Sequence, residues 1–153
     1  MTDPAFPHSL TRERTLAVTP ERVFRAWTEP DELSRWFSPN PEMVTEAEVD
    51  LRVGGAYCIR MGTYEVVGRY VRIDAPRSLA FTWRWSHEPD APDTLVTVEL
   101  APLDGGGTRL TLRHERFASE AERANHDDGW QRTLDRLPAA LQSAPTGGDG
   151  GRG

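Results

Sequence analysis

The chain has 153 residues, and its 18 lysine and arginine residues against 24 aspartate and glutamate residues give a formal net charge of −6. This length suits one domain with its own core, and the acidic balance argues against nucleic-acid binding because phosphates carry the same sign of charge. No apolar run reaches the roughly 18–20 residues of a membrane span. Cys58 is the only cysteine, which excludes an internal disulfide and favours a reducing, cytoplasmic location.

The first third of the chain predicts one strand followed by two short helices. Residues 1–9 are expected to form a flexible leader, and the alternation over residues 10–18 predicts a strand. Thr19 is a typical N-cap, because its side chain can accept a backbone N–H and Pro20 suits the first helical position. A second short helix is predicted from Pro30.

Residues 43–116 are dominated by strand patterns. Six strands are predicted, over residues 43–52, 56–61, 64–73, 78–86, 94–101 and 108–115. Gly54 and Gly55 separate the first two and indicate a hairpin, since glycine adopts the positive φ of tight turns. The fourth strand alternates most clearly, with Leu79, Phe81 and Trp83 on one face. With the first strand, this makes a sheet of about seven strands.

One long helix is predicted near the C-terminus. Ser119 and Glu122 form a capping pair at its start, and apolar residues then follow at helical spacing. This stripe consists of Trp130, Leu134, Leu137 and Leu141. Because an antiparallel sheet needs a cover for one face, we expect the helix to lie across it. Pro138 should kink the helix or set apart its last turn, and the glycine-rich residues 143–153 should be disordered.

The order of elements and five short segments resemble one protein family. The order β-α-α-β-β-β-β-β-β-α is that of the helix-grip fold of the START and birch-pollen-allergen-like superfamily. The segments are residues 19–27 (TPERVFRAW), 33–37 (LSRWF), 53–57 (VGGAY), 78–83 (SLAFTW) and the pair 129–130 (GW) with 134–137 (LDRL). They are similar to the branch named for activators of the heat-shock protein 90 ATPase. The resemblance covers about residues 10–142 and implies an α+β fold, in which a curved antiparallel sheet wraps around the C-terminal helix and encloses a cavity.

Aromatic side chains form the strongest candidate site. Thirteen residues are predicted to line a cavity between sheet and helix: Trp27, Trp36, Tyr57, Ile59, Met61, Phe81, Trp83, Trp85, Val98, Leu112, His114, Trp130 and Leu134. A pocket lined in this way suits an apolar or planar ligand, although the same rings can also fill a core. His114 is the candidate proton-transfer group, and a buried structural role is its alternative.

The remaining polar groups are expected to be structural. Consecutive residues on a helix point about 100° apart, so His126, Asp127 and Asp128 should not converge on a metal and should form a solvated helix face. Cys58 has no activating partner motif and should be an inert thiol. Gly129 weakens the helix, so it should either let the helix approach the sheet closely or leave room for a ligand. We predict no metal site and no cofactor.

Three functions follow from these patterns and from the resemblance. The leading hypothesis is a domain that binds a hydrophobic small molecule without catalysis. The second, implied by cyclase and hydrolase relatives in the superfamily, is an enzyme that uses the same pocket. The third, implied by the family name, is a chaperone-associated or stress-related interaction protein. A chaperone and a second copy of the chain, as a homodimer, are the macromolecular partners that the sequence leaves open.

Overall fold

The computed structural model describes residues 8–142, which form seven strands and three helices. The strands are β1 (His8–Leu16), β2 (Thr45–Val49), β3 (Ala56–Met61), β4 (Tyr64–Asp74), β5 (Ser78–Trp85), β6 (Thr94–Pro102) and β7 (Thr108–Phe117). The helices are α1 (Pro20–Thr28), α2 (Pro30–Trp36) and α3 (Glu120–Gln142).

All seven strands belong to one curved antiparallel sheet. Its order is β1-β7-β6-β5-β4-β3-β2, so each strand from β2 to β7 lies beside its neighbour in the chain, and β1 pairs with β7. The β2–β3 hairpin closes through a turn in which Gly54 has a φ of +86°. This sheet, the two short helices after β1 and the long last helix confirm the predicted α+β helix-grip architecture.

The helix α3 lies against the sheet through the predicted apolar stripe. Trp130, Leu134 and Leu137 are buried, whereas Gln131 and Asp135 are exposed. The side chain of Ser119 accepts a hydrogen bond from the Glu122 backbone N–H, which confirms the predicted helix start.

Two ion pairs join α3 to the edge strand β1. Arg12 lies 2.7 Å from Asp127, and Arg14 lies 3.0 Å from Asp135. Both arginines share the strand face of Leu10 and Leu16, which are buried. Opposite charges on the helix therefore explain why this face of the strand carries two arginines between its apolar residues.

The short helices follow the predicted signals. The Thr19 hydroxyl accepts a hydrogen bond from the Arg22 backbone N–H, and Pro20 is the first residue of α1. The indole N–H of Trp36 in α2 donates to the carbonyl of Ala26 in α1, at 3.0 Å. The two helices are thus fixed to each other through a buried ring.

The structure differs from the sequence-based expectations at several element ends, and β2 spans only Thr45–Val49 of the predicted residues 43–52. β1 begins at His8, so the predicted leader of residues 1–9 is too long by two residues, since His8 and Ser9 already pair with β7. Leu141 is buried and α3 continues through the exposed Pro138 to Gln142, so the last turn is not separate from the helix, and the alternative of a kink at Pro138 stays a prediction. Residues 1–7 and the predicted tail of residues 143–153 lie outside the described residues. Among residues 8–142, no helix has the length and apolar character needed to cross a membrane.

Candidate functional site

An open cleft lies between the first half of α3 and the ends of β3, β4 and β5. Its volume is about 680 Å³. Residues from the loop after α2 and from the loop after β5 complete its walls. The lining residues are Phe37, Pro39, Asn40, Met43, Met61, Tyr64, Trp83, Trp85, His87, Glu88, Glu122, Asn125, His126, Asp128, Gly129, Trp130, Arg132 and Thr133.

Aromatic rings in mutual contact form one wall of this cleft. The Trp83 ring centroid lies 5.2 Å from that of Trp130 and 5.7 Å from that of Trp85. Tyr64 extends the row, at 6.0 Å from Trp85. Phe37 packs edge-on against Trp130 at 5.6 Å. Edge-to-face geometry of this kind is favourable for aromatic pairs, so the wall is held in place by its own packing.

The structure places four of the thirteen predicted site residues in the cleft. These are Met61, Trp83, Trp85 and Trp130. The other nine lie outside its lining: Trp27, Trp36, Tyr57, Ile59, Phe81, Val98, Leu112, His114 and Leu134. All nine are buried and belong to the hydrophobic core or, for His114, to its polar centre.

Tyr57 belongs to a second aromatic group that is separate from the cleft wall. Its ring packs against Tyr70 and Phe81 at 5.6 and 5.3 Å, and its hydroxyl donates to the carbonyl of Thr82. Burial raises the pKa of Tyr57 well above its ordinary value, so the hydroxyl keeps its proton. Tyr57 therefore supports the sheet and takes no part in the cleft.

His114 is the centre of a buried hydrogen-bond chain and does not reach the cleft. Trp130 Nε1 donates to His114 Nδ1 at 3.0 Å, which makes Nδ1 an acceptor because an indole N–H can only donate. Nε2 then carries the proton and donates to Thr94 Oγ1 at 2.7 Å, and the Thr94 hydroxyl donates to the Trp83 carbonyl. Burial, with a smaller effect of His126, holds the pKa of His114 well below its ordinary value. Both nitrogens are engaged, which favours the structural role over proton transfer.

His126 lies in the cleft lining, where the sequence predicted a solvated helix face. Its ring is half-buried and packs between Phe117, at 4.9 Å, and Trp85, at 6.0 Å. His126 Nδ1 donates to the Glu122 carbonyl at 2.8 Å, so Nε2 is the unprotonated nitrogen of the neutral ring. Burial lowers the pKa of His126, and the bond to Glu122 opposes that shift only in part.

The two carboxylates that follow His126 in sequence are paired with arginines. Asp127 turns to Arg12 in β1, and Asp128, which also borders the cleft, pairs with Arg132. Among residues 8–142, no three or more His, Cys, Asp and Glu side chains converge in a way that could hold a metal ion.

Gly129 leaves open space at the cleft. A Cβ atom built on Gly129 would meet no atom within 4 Å outside its chain neighbours and the adjacent backbone of its own helix. The expectation that this glycine allows a close approach of helix and sheet is therefore wrong. Its position in the lining agrees with the alternative, that it leaves room for a ligand.

Cys58 lies on the other face of β3 and has the properties of an unreactive thiol. Burial, together with the hydrogen bond to Glu65, raises the pKa of its thiol to about 11. Arg60 bridges Glu46, Glu48 and Glu65 on the same surface, so these carboxylates form an ion-pair network.

Sequence reasoning missed several lining residues, and only for one of them does the sequence contain a pattern that indicates its position. His126 precedes Trp130 by four residues, so it shares the helix face of the apolar stripe. Tyr64, His87 and Glu88 lie next to turns, and their approach to α3 depends on the curvature of the sheet, which no local pattern encodes.

Comparisons with known proteins agree with this architecture. The family model described as "Activator of Hsp90 ATPase homolog 1-like protein" matches residues 17–142. A solved protein from Chromobacterium violaceum is 33% identical, with a TM-score of 0.77 over 88% of this chain and 98% of its own. CalU16 from Micromonospora echinospora is 27% identical, with a TM-score of 0.73 over 94% and 82%. An HSP90 activator from Plasmodium falciparum is 26% identical, with a TM-score of 0.72 over 87% and 95%. The sequence has no match among the curated proteins.

Proposed function

The chain belongs to the activator of Hsp90 ATPase homolog 1-like family, and we propose that it binds an apolar or planar aromatic small molecule in the cleft between α3 and the sheet. The observation that carries this proposal is the cleft itself, with its volume of about 680 Å³ and its continuous wall of aromatic rings. Sites for small molecules are typically concave, within about 300–1,000 Å³, and lined by apolar and aromatic side chains with a few polar groups.

The polar groups of the cleft are suited to orienting a molecule. His126 contributes a neutral imidazole whose Nε2 can accept a hydrogen bond. Asn125 lies one residue away and makes no side-chain hydrogen bond within residues 8–142, so its amide is available as donor and acceptor. The cleft thus combines an apolar wall with groups that can select the orientation of a ligand.

Binding can be tested by fluorescence and thermal stability. Trp83, Trp85 and Trp130 line the cleft, so a panel of lipids, flavonoids and aromatic amines should contain compounds that change indole emission. The same compounds should raise the melting temperature, because binding to the native state adds about 2.7 kcal/mol of stability at a hundredfold excess over Kd. A panel that changes neither signal would contradict the proposal.

A pair of variants at Gly129 locates the binding site. Gly129→Leu should fill part of the cleft and weaken binding of a compound from the panel by tenfold or more. Gly129→Ala is the matched control, since its methyl group meets no atom within 4 Å outside its own helix backbone, and alanine and leucine have similar helix propensities. Equal affinities of the two variants for that compound would place the binding site elsewhere.

A second candidate function is activation of a chaperone ATPase. It is favoured by the likeness to the HSP90 activator from Plasmodium falciparum, at 26% identity over 87% of this chain. The test is to add the purified protein to an Hsp90-type chaperone and measure ATP hydrolysis. A dose-dependent rise in the rate would support this function, and an unchanged rate at saturating protein would oppose it.

A further inference from the structure

The mouth of the cleft carries an excess of negative charge. Glu88, Glu122 and Asp128 all contribute to its lining, whereas Arg132 is the one lysine or arginine among the described lining residues. Arg132 is already engaged, because its Nε lies 3.0 Å from an oxygen of Asp128. The charges of Arg132 and Asp128 therefore offset each other, and Glu88 and Glu122 give the cleft a net negative charge.

Neither glutamate has a lysine or arginine partner within residues 8–142. Glu122 accepts a hydrogen bond from the Ala118 backbone N–H through Oε1, which leaves its second oxygen without a protein partner. Glu88 lies 4.0 Å from His87 and within electrostatic range of His126, and its side chain is 49% exposed. Elsewhere on the described surface many carboxylates have an arginine partner, as Asp127 has in Arg12 and Asp135 in Arg14.

The aromatic wall reinforces this preference for positive charge. The face of an aromatic ring carries negative electrostatic potential, and tryptophan is the strongest of the aromatic residues in attracting a cation. Three tryptophans and Tyr64 line the same cleft as the two glutamates. Indole rings beside uncompensated carboxylates are the combination that recognises an organic ammonium group.

We propose that the ligand of this cleft is an organic cation, namely a quaternary or aromatic ammonium compound whose apolar body lies on the tryptophan wall and whose charge faces Glu88 and Glu122. This inference rests on the proposed small-molecule function and specifies its ligand class. An anionic amphiphile such as a fatty acid would place its carboxylate against the same two glutamates, which makes it a poor ligand.

The test compares two probes that differ only in charge. Phenyltrimethylammonium and tert-butylbenzene have nearly the same shape, with a positively charged nitrogen in one and a neutral carbon in the other. Competition against a fluorescent compound from the ligand panel should show that phenyltrimethylammonium binds at least tenfold more tightly. Its advantage should shrink as salt is raised, because the mouth of the cleft is open to solvent.

Carboxylate variants assign the effect to the cleft. Glu88→Gln and Glu122→Gln should each weaken phenyltrimethylammonium binding about threefold to tenfold and leave tert-butylbenzene unchanged. Glutamine at position 122 keeps an oxygen that can accept from the Ala118 N–H. Glu99→Gln is the control, since this exposed carboxylate lies on β6, outside the cleft lining.

The possible outcomes separate this inference from the function on which it rests. Equal affinity for the two probes, or an equal effect of Glu99→Gln, would overturn the cation preference while binding in the cleft stands. The cation preference would also be overturned if neither probe displaced the fluorescent compound while a neutral panel compound still bound and its binding was weakened by Gly129→Leu. If no compound of the panel bound to the unmodified protein, the proposed function itself would be contradicted.

Discussion

Trp130 in α3 donates a hydrogen bond of 3.0 Å to His114 in β7, and this bond fixes the tautomer of a fully buried histidine. It joins the last helix to the centre of the sheet through polar atoms inside an apolar core. Because Trp130 also lines the cleft, the same ring serves as a structural support and as part of the candidate binding wall.

Removing the indole N–H of Trp130 should therefore lower the free energy of unfolding by more than removing another buried indole N–H does. Trp130→Phe leaves His114 Nδ1 without a donor, and an unsatisfied buried acceptor costs about 1–3 kcal/mol. Trp83→Phe is the matched control, because Trp83 is 5% exposed against 4% for Trp130 and its Nε1 has no hydrogen-bond partner in the described structure. Urea unfolding of both variants should show the larger loss for Trp130→Phe. Equal losses would show that the bond contributes no stability.

Stability should fall as the solution becomes mildly acidic. The pKa values of His114 and His126 are both lowered in the folded protein, chiefly by burial, whereas in the unfolded chain each returns to about 6.5. Below about pH 6.5 the histidines of the unfolded chain therefore bind protons, whereas those of the folded chain stay neutral. The free energy of unfolding then decreases by up to about 1.4 kcal/mol for each histidine as the pH falls by one unit.

Urea unfolding at pH 7.5, 6.5 and 5.5 measures this slope. His126→Gln should reduce the slope and leave the contribution of His114. The imidazole signals of His114 in a pH titration by NMR should stay those of the neutral ring across the range. A free energy of unfolding that is constant or rises towards pH 5.5 would contradict the assignment of both groups as neutral.

The fold could be predicted from the sequence because its signals are local. Alternation along β5, the Thr19 cap and the helical spacing of Trp130, Leu134 and Leu137 each depend on a few neighbouring residues. Arg12 and Arg14 share a strand face with the buried Leu10 and Leu16, and only the distant Asp127 and Asp135 explain their position. Patterns within one strand cannot show an ion pair that spans more than 100 residues.

The site was harder to predict than the fold for a similar reason. Tyr57 and Trp83 are both buried, yet alternation along a strand cannot show that Tyr57 packs with Tyr70 and Phe81 while Trp83 faces α3. Position along the curved sheet decides which rings border the cleft. The neutral state of His114 likewise depends on Trp130 and Thr94, two residues from other elements.

The buried stripe of α3 should dominate the stability of the domain. Leu134 is fully buried, so Leu134→Ala should reduce the free energy of unfolding by about 2–5 kcal/mol, through lost apolar contact and the cavity left behind. Gln131→Ala is the control on the opposite face, where the side chain is exposed and makes one hydrogen bond of 3.3 Å with Arg12. That variant should change stability by less than about 0.5 kcal/mol. A similar loss for both variants in urea unfolding would show that the stripe is assigned to the wrong face.

The last prediction concerns two glycines whose surroundings differ completely. A Cβ atom on Gly68 in β4 would overlap the Thr82 carbonyl oxygen and lie 2.7 Å from the Tyr57 ring. Gly68→Ala must therefore displace backbone in β5 and disturb the hydrogen bond from Tyr57 to Thr82, at a cost of about 1–3 kcal/mol or more. Gly129→Ala should do the opposite and raise the free energy of unfolding by about 0.5–1 kcal/mol. Its methyl group has open space outside its own helix backbone, and alanine favours the helix. Chemical unfolding of the two variants should show opposite signs, and a neutral or stabilising Gly68→Ala would contradict the close contact between β4 and β5.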